Sequence, residues 1–111
     1  MASVDECRQA LRDLAARLDR HADVQDRIDL DRTLACRVTD LDTAFHGRIT
    51  GGRLVELTDG DDPKAKIVLS TTSDDLVALV HGQLDVTKAV AARRVSIKAN
   101  PFDLMKLRKL L

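Results

Sequence analysis

Three histidines, two cysteines and a scatter of carboxylates are the side chains of this 111-residue chain best suited to metal or acid–base chemistry. Their spacing organises none of it. His21, His46 and His81 lie on unrelated stretches, and none has a Cys or His partner at a zinc-binding interval such as H-x3-H or C-x2-C. Asp59, Asp61 and Asp62 hint at a calcium loop but lack the alternating order and the closing glutamate, so they read as a surface turn. There is no nucleophile elbow, P-loop or dinucleotide fingerprint, and Gly51-Gly52 reads as a hairpin. The remaining carboxylates fall in helix starts and turns, where they have structural work. The expectation is a chain that is not an enzyme and carries no metal or cofactor.

Binding therefore becomes the class to test. With no Trp, no Tyr and only Phe45 and Phe102, the chain cannot stack successive bases, which excludes a single-stranded nucleic-acid platform. Eighteen basic and eighteen acidic side chains cancel, but not evenly. Residues 1–87 hold 11 Lys/Arg against 17 Asp/Glu, whereas residues 88–111 hold seven Lys/Arg against Asp103 alone. A basic end of this kind either meets phosphates or an anionic membrane, or simply balances an acidic face. Two cysteines 29 positions apart, Cys7 and Cys36, are too few for a stapled secreted domain. No apolar run approaches the ~18 residues of a membrane span and the N-terminus does not read as a signal peptide, so a soluble, reduced, cytoplasmic protein is expected.

The elements that must position any site follow from hydrophobic period. Val4, Cys7, Leu11, Leu14 and Leu18 recur at intervals of three and four, predicting an amphipathic helix over 3–19 with Ser3 as its cap. Residues 20–32 read as a charged linker, with one helical turn near Val24 and Ile28. From Thr33 the period becomes two: Leu34, Cys36 and Val38, then Phe45, Gly47 and Ile49, then Val55 and Leu57 beyond the Gly-Gly hairpin. Ile67 and Leu69 make a fourth strand, and Val95, Ile97 and Ala99 a fifth. Between them lies a helix over 74–81, started by Thr72 and Ser73 and stopped by Gly82, followed by a helical turn through Ala89–Ala91. Asn100-Pro101 opens a last helix striped by Leu104, Leu107 and Leu111. Five strands joined mostly by short turns, with helices on one face, make a single α+β domain over 1–111 with a mainly antiparallel sheet. Leu76, Val77, Leu79 and Val80 cover nearly half of their helix's circumference, a broad apolar arc. Such a helix is either sunk in the core or lies between core and an apolar cavity.

The run Ser73-Asp74-Asp75-Leu76-Val77-Ala78-Leu79-Val80-His81-Gly82-Gln83-Leu84-Asp85 resembles the central segment of the sterol carrier protein type 2 family. That pattern is an acidic helix start, a Leu-rich core, Gly, a polar residue, Met/Leu and Asn/Asp. The likeness continues through Ala89, Val95-Ser96-Ile97-Lys98, Asn100 and Met105-Lys106-Leu107, covering residues 65–111 in unbroken register. It implies an α+β fold whose helices and one sheet face enclose an apolar tunnel for a sterol, a fatty acid or a fatty acyl-CoA. Carried over residue by residue, Leu76, Val80, Leu84, Val90, Leu104, Met105 and Leu107 become candidate tunnel walls.

The chain departs from that pattern where the family often has an aromatic pair followed by Gln-Gly-Lys. Here the run is Val90-Ala91-Ala92-Arg93-Arg94, which removes two rings and puts arginine where glycine gave backbone freedom. The ending Lys109-Leu110-Leu111 does not match a peroxisomal signal. If the last strand and helix meet near a tunnel mouth, Arg93, Arg94, Lys98, Lys106 and Lys109 would contact ligand phosphates or, transiently, an anionic membrane. The expected function is a non-catalytic lipid-binding or lipid-transfer protein. The alternative is an interaction or accessory module of the same fold with a closed cavity, partnering a lipid-metabolising enzyme.

Overall fold

The computed structural model describes residues 1–21 and 30–110. The helical turn expected near Val24 and Ile28 lies outside the described residues. Helix α1 is Val4–Arg20, and its start is a reciprocal cap: the Glu6 amide donates to Ser3 Oγ at 3.0 Å, and the Ser3 amide to Glu6 Oε1 at 3.2 Å. The stripe buries Cys7, Leu11, Leu14 and Leu18, with Val4 half-buried at the edge.

Strands β1 (Arg32–Val38), β2 (Thr43–Thr50), β3 (Arg53–Asp59), β4 (Ile67–Thr71) and β5 (Val95–Lys98) form one sheet in the order β3-β2-β1-β4-β5. All neighbours are antiparallel except β1 and β4, which run parallel at the centre. The inner face is the alternate set the period predicts: Cys36 and Val38, Phe45 and Ile49, Ile67 and Leu69, and Val95 are all buried. Strand β3 departs from that period. A bulge breaks its register with β2 between His46 and Arg48, and Glu56 takes a left-handed φ of 57°. The extra residue lets Leu54 and Leu57, three apart, both reach the core, while Val55 turns out of it. Gly47 permits the close approach, because a Cβ there would sit 2.9 Å from the Val55 carbonyl oxygen.

Helix α2 is Ser73–Val80, capped by Thr72 and pinned by Asp40, whose carboxylate accepts from the Ser73 amide at 2.7 Å and its hydroxyl at 2.6 Å. Those bonds, the hydroxyl's first, hold the Asp40 carboxyl below its ordinary range. Helix α3 is Val86–Ala91, capped by Asp85, and helix α4 is Pro101–Leu110, capped by Asn100, whose side chain accepts from the Asp103 amide at 2.8 Å.

Helices α2 and α3 end in the same hydrogen-bonded turn. After α2 the Gly82 amide donates to the Leu79 carbonyl and the Gln83 amide to the Ala78 carbonyl. After α3 the Arg93 amide donates to Val90 and the Arg94 amide to Ala89. The left-handed residue is Gly82 (φ 74°) in the first turn and Arg93 (φ 62°) in the second. The chain thus keeps, with arginine, the backbone conformation that glycine adopts freely.

Candidate lipid site

The apolar faces of α1, α2 and the sheet meet α4 around one closed space of about 40 Å³. Leu11, Leu14 and Leu18 line it from α1, Leu76, Leu79 and Val80 from α2, and Leu107 from α4. The sheet closes it with Leu34, Cys36, Ile49, Leu54 and Leu69. The one titratable group in that wall is the Cys36 thiol, pushed up to about 12 by burial and secondarily by the neighbouring Cys7. It is therefore neutral at any physiological pH, and the wall carries no charge. A void lined this way stays dry and accepts hydrocarbon rather than water. Its volume is a small fraction of the ~300 Å³ at which small-molecule pockets begin. A ligand tail can occupy it only if the helices part from the sheet.

On the far side of Leu79, which lines both, lies a groove of about 1070 Å³ open to solvent. Its floor is residues 82–89, its walls Arg17 from α1, Ala92 and Arg94 after α3, and Met105, Arg108 and Lys109 from α4. Five cations line it against one acid, Asp85, whose carboxylate already accepts from the Lys88 amide. Three of the cations are held in place. Arg17 donates to the Val80 carbonyl at 2.7 Å, Arg94 to Asp75 at 2.6 Å and Arg108 to Thr87 Oγ1 at 2.8 Å. The groove is larger but wet and charged, so it suits a headgroup rather than a tail.

Of the positions singled out by resemblance, Leu76, Val80 and Leu107 line the closed space, while Leu84 and Met105 line the groove. Leu104 is half-buried on α4 and lines neither, and Val90 is 39% exposed and also lies outside both. Among the cations, Arg94 and Lys109 line the groove. Arg93 is exposed at the turn after α3, Lys98 is exposed on β5, and Lys106 is half-buried on α4. The α1 and sheet residues of the wall carried a signal, their periods of 3.6 and 2, but that signal marks a buried face without saying what it encloses. Among the described residues no group of three His, Cys, Asp or Glu is placed to hold a metal, and no helix is long and apolar enough to cross a membrane.

The sequence profile of the SCP-2 sterol transfer family matches residues 6–111. Sterol carrier protein domain 2 of Helicoverpa armigera is similar in fold, with a TM-score of 0.71 at 18% identity over 95% of this chain and 84% of that one. Sterol carrier protein 2 like 2 from Aedes aegypti gives 0.65 at 12% identity over 94% and 98%. The stereoselective inverting sec-alkylsulfatase Pisa1 from Pseudomonas sp. gives 0.67 at 26% identity over 88% of this chain. This chain spans only 15% of that enzyme's length. No curated protein sequence matches. With the profile running from the first turn of α1 to the end, over a sheet and helices shared with sterol carrier proteins, the chain belongs to the SCP-2 sterol transfer family.

Proposed function

We propose that this chain is a non-catalytic lipid carrier that takes the tail of a fatty acid, a fatty acyl-CoA or a sterol between α1, α2, α4 and the sheet. The observation that carries the reading is the uncharged, apolar wall where these four meet, beside a groove lined by cations. Each methylene moved from water into that wall contributes about 0.8 kcal/mol. Immobilising the ligand costs about 4–15 kcal/mol, and parting the helices adds to that, so long tails are favoured over short ones. Displacement of a fluorescent fatty acid by unlabelled fatty acids of increasing length tests it. Affinity is expected to rise steeply with chain length, and a length-independent response would contradict tail burial.

A second reading is supported by the sulfatase. A segment like this chain, at 26% identity, makes up a small part of a much larger enzyme that acts on alkyl sulfates. In that reading the same apolar wall presents an alkyl chain to a catalytic partner. Stable co-purification of the full chain with a lipid-metabolising enzyme supports it, and a chain that binds tails yet purifies alone supports the free carrier.

A further inference from the structure

We propose that the outer face of α4, with Phe102 and Met105 as its apolar anchors, docks this chain on the surface of an anionic lipid bilayer. On α4 the residues that turn inward are Asp103 (4% exposed), Leu107 and the half-buried Leu104. Phe102 and Met105, three apart and so neighbours on the opposite face, are 73% and 55% exposed. Single exposed apolar residues are ordinary, but these are two of the four large ones on the described surface, side by side on one short helix. The inner face of the helix is tied to β1. Arg32 Nε donates to the buried Asp103 carboxylate at 3.0 Å, and the Asn100 side chain caps the first turn.

The charge around this face names the occupant. Residues 88–111 hold seven Lys/Arg and one acid, and that acid is Asp103, buried against Arg32. Arg94 is paired with Asp75, and the remaining charge these residues carry at the surface is positive, with Lys109 a turn beyond Met105 and Lys88 and Arg108 lining the same groove. A second copy of this chain would set cations against cations, whereas acidic lipid headgroups complement them. Helix α1 is the contrasting case: it carries four acids and four arginines and has no net attraction for such a surface. Met105 and Lys109 also line the groove that shares Leu79 with the closed space, so docking by α4 sets the groove at headgroup depth. The docking takes its purpose from the lipid-carrier reading, but its test needs no ligand inside the protein.

The full chain is sedimented with phosphatidylcholine vesicles with and without phosphatidylserine, at ~0.1 M and ~1 M salt, where screening lengths are about 10 and 3 Å. Partition onto the anionic vesicles is expected to exceed that onto neutral ones at least tenfold at low salt and to collapse at high salt, each cation near the surface being worth about fivefold. Phe102→Ser/Met105→Ser is expected to weaken anionic partition about tenfold through lost apolar insertion, with an unchanged melting temperature. Lys109→Glu weakens it as well, and Arg12→Glu/Arg20→Glu on α1 leaves it as in wild type. Equal partition onto both vesicles, wild-type binding by the serine pair, or an equal loss in the α1 variant would each overturn the proposal. Fluorescent fatty acid uptake in the same preparations separates the readings: uptake without vesicle partition overturns docking alone, and neither uptake nor partition overturns both.

Discussion

The closed space and the open groove share Leu79 and differ in almost everything else. The groove is many times larger, yet it is open to solvent, edged with cations and lined by the loop after α2 and the start of α3. The closed space is small, but every side chain around it is apolar or a neutral thiol, and it draws on α1, α2, α4 and the sheet at once. Size is therefore a poor guide to where a tail goes. What matters is which wall loses nothing when water leaves. Hydrocarbon entering the groove would strip water from charged groups, whereas hydrocarbon entering the closed space displaces only contacts between leucines.

A buried charge separates the two walls most severely. Val80→Asp places a carboxylate in the dry wall, at a residue 3% exposed, and is expected to cost several kcal/mol against a total of about 5–15. That is enough to unfold much of the protein at ambient temperature, whereas the same substitution at Met105, on the groove, is expected to leave the melting temperature nearly unchanged. Equal melting temperatures for the two variants would show that the walls are misassigned.

A cavity-forming change sharpens the contrast. Leu107→Ala removes the α4 side of the closed space and is expected to cost about 2–5 kcal/mol, lowering the denaturation midpoint. Because it also makes room, fluorescent fatty acid binding should strengthen or hold although stability falls. A parallel loss of both would mean that the space serves packing alone.

The two helix ends give the smallest effects and an internal control. Gly82→Ala puts a Cβ at a φ of 74° where nothing lies within 4 Å, so its cost is conformational, about 1 kcal/mol. Arg93→Gly relieves the same conformation after α3 and is expected to gain a few tenths to about 1 kcal/mol, less what glycine loses in chain entropy. Urea unfolding of both variants measures this, and a destabilised Arg93→Gly would point to a contact made by the arginine side chain.

How much of this was legible depended on whether the signal was local. The alternation in Cys36 and Val38, Phe45 and Ile49, and Ile67 and Leu69 showed the strands and their inner face, because side-chain period is a property of each strand alone. The α2 stop at Gly82 and the α4 start at Asn100-Pro101 were local as well. The parallel pairing of β1 with β4 was not visible, since no pattern within either strand names its neighbour. Neither was the β3 bulge, which needs Gly47 of β2 and Glu56 of β3 together. At the site, Leu76, Val80 and Leu107 were reached through resemblance. The α1 and sheet walls were missed as walls because the resembling segment begins near residue 65. The volume of the closed space follows from how side chains from four elements interdigitate, and period does not encode that.

Tail burial in the closed space is tested most directly by a photo-crosslinking map with a fatty acid carrying a diazirine near its terminal methyl, read by mass spectrometry on the full chain. Labels are expected on α1 between Leu11 and Leu18, on Leu76 or Val80 of α2 and on Leu107, all suppressed by excess unlabelled fatty acid. Labels confined to residues 84–92 and Met105, or labels that excess fatty acid does not suppress, would contradict it.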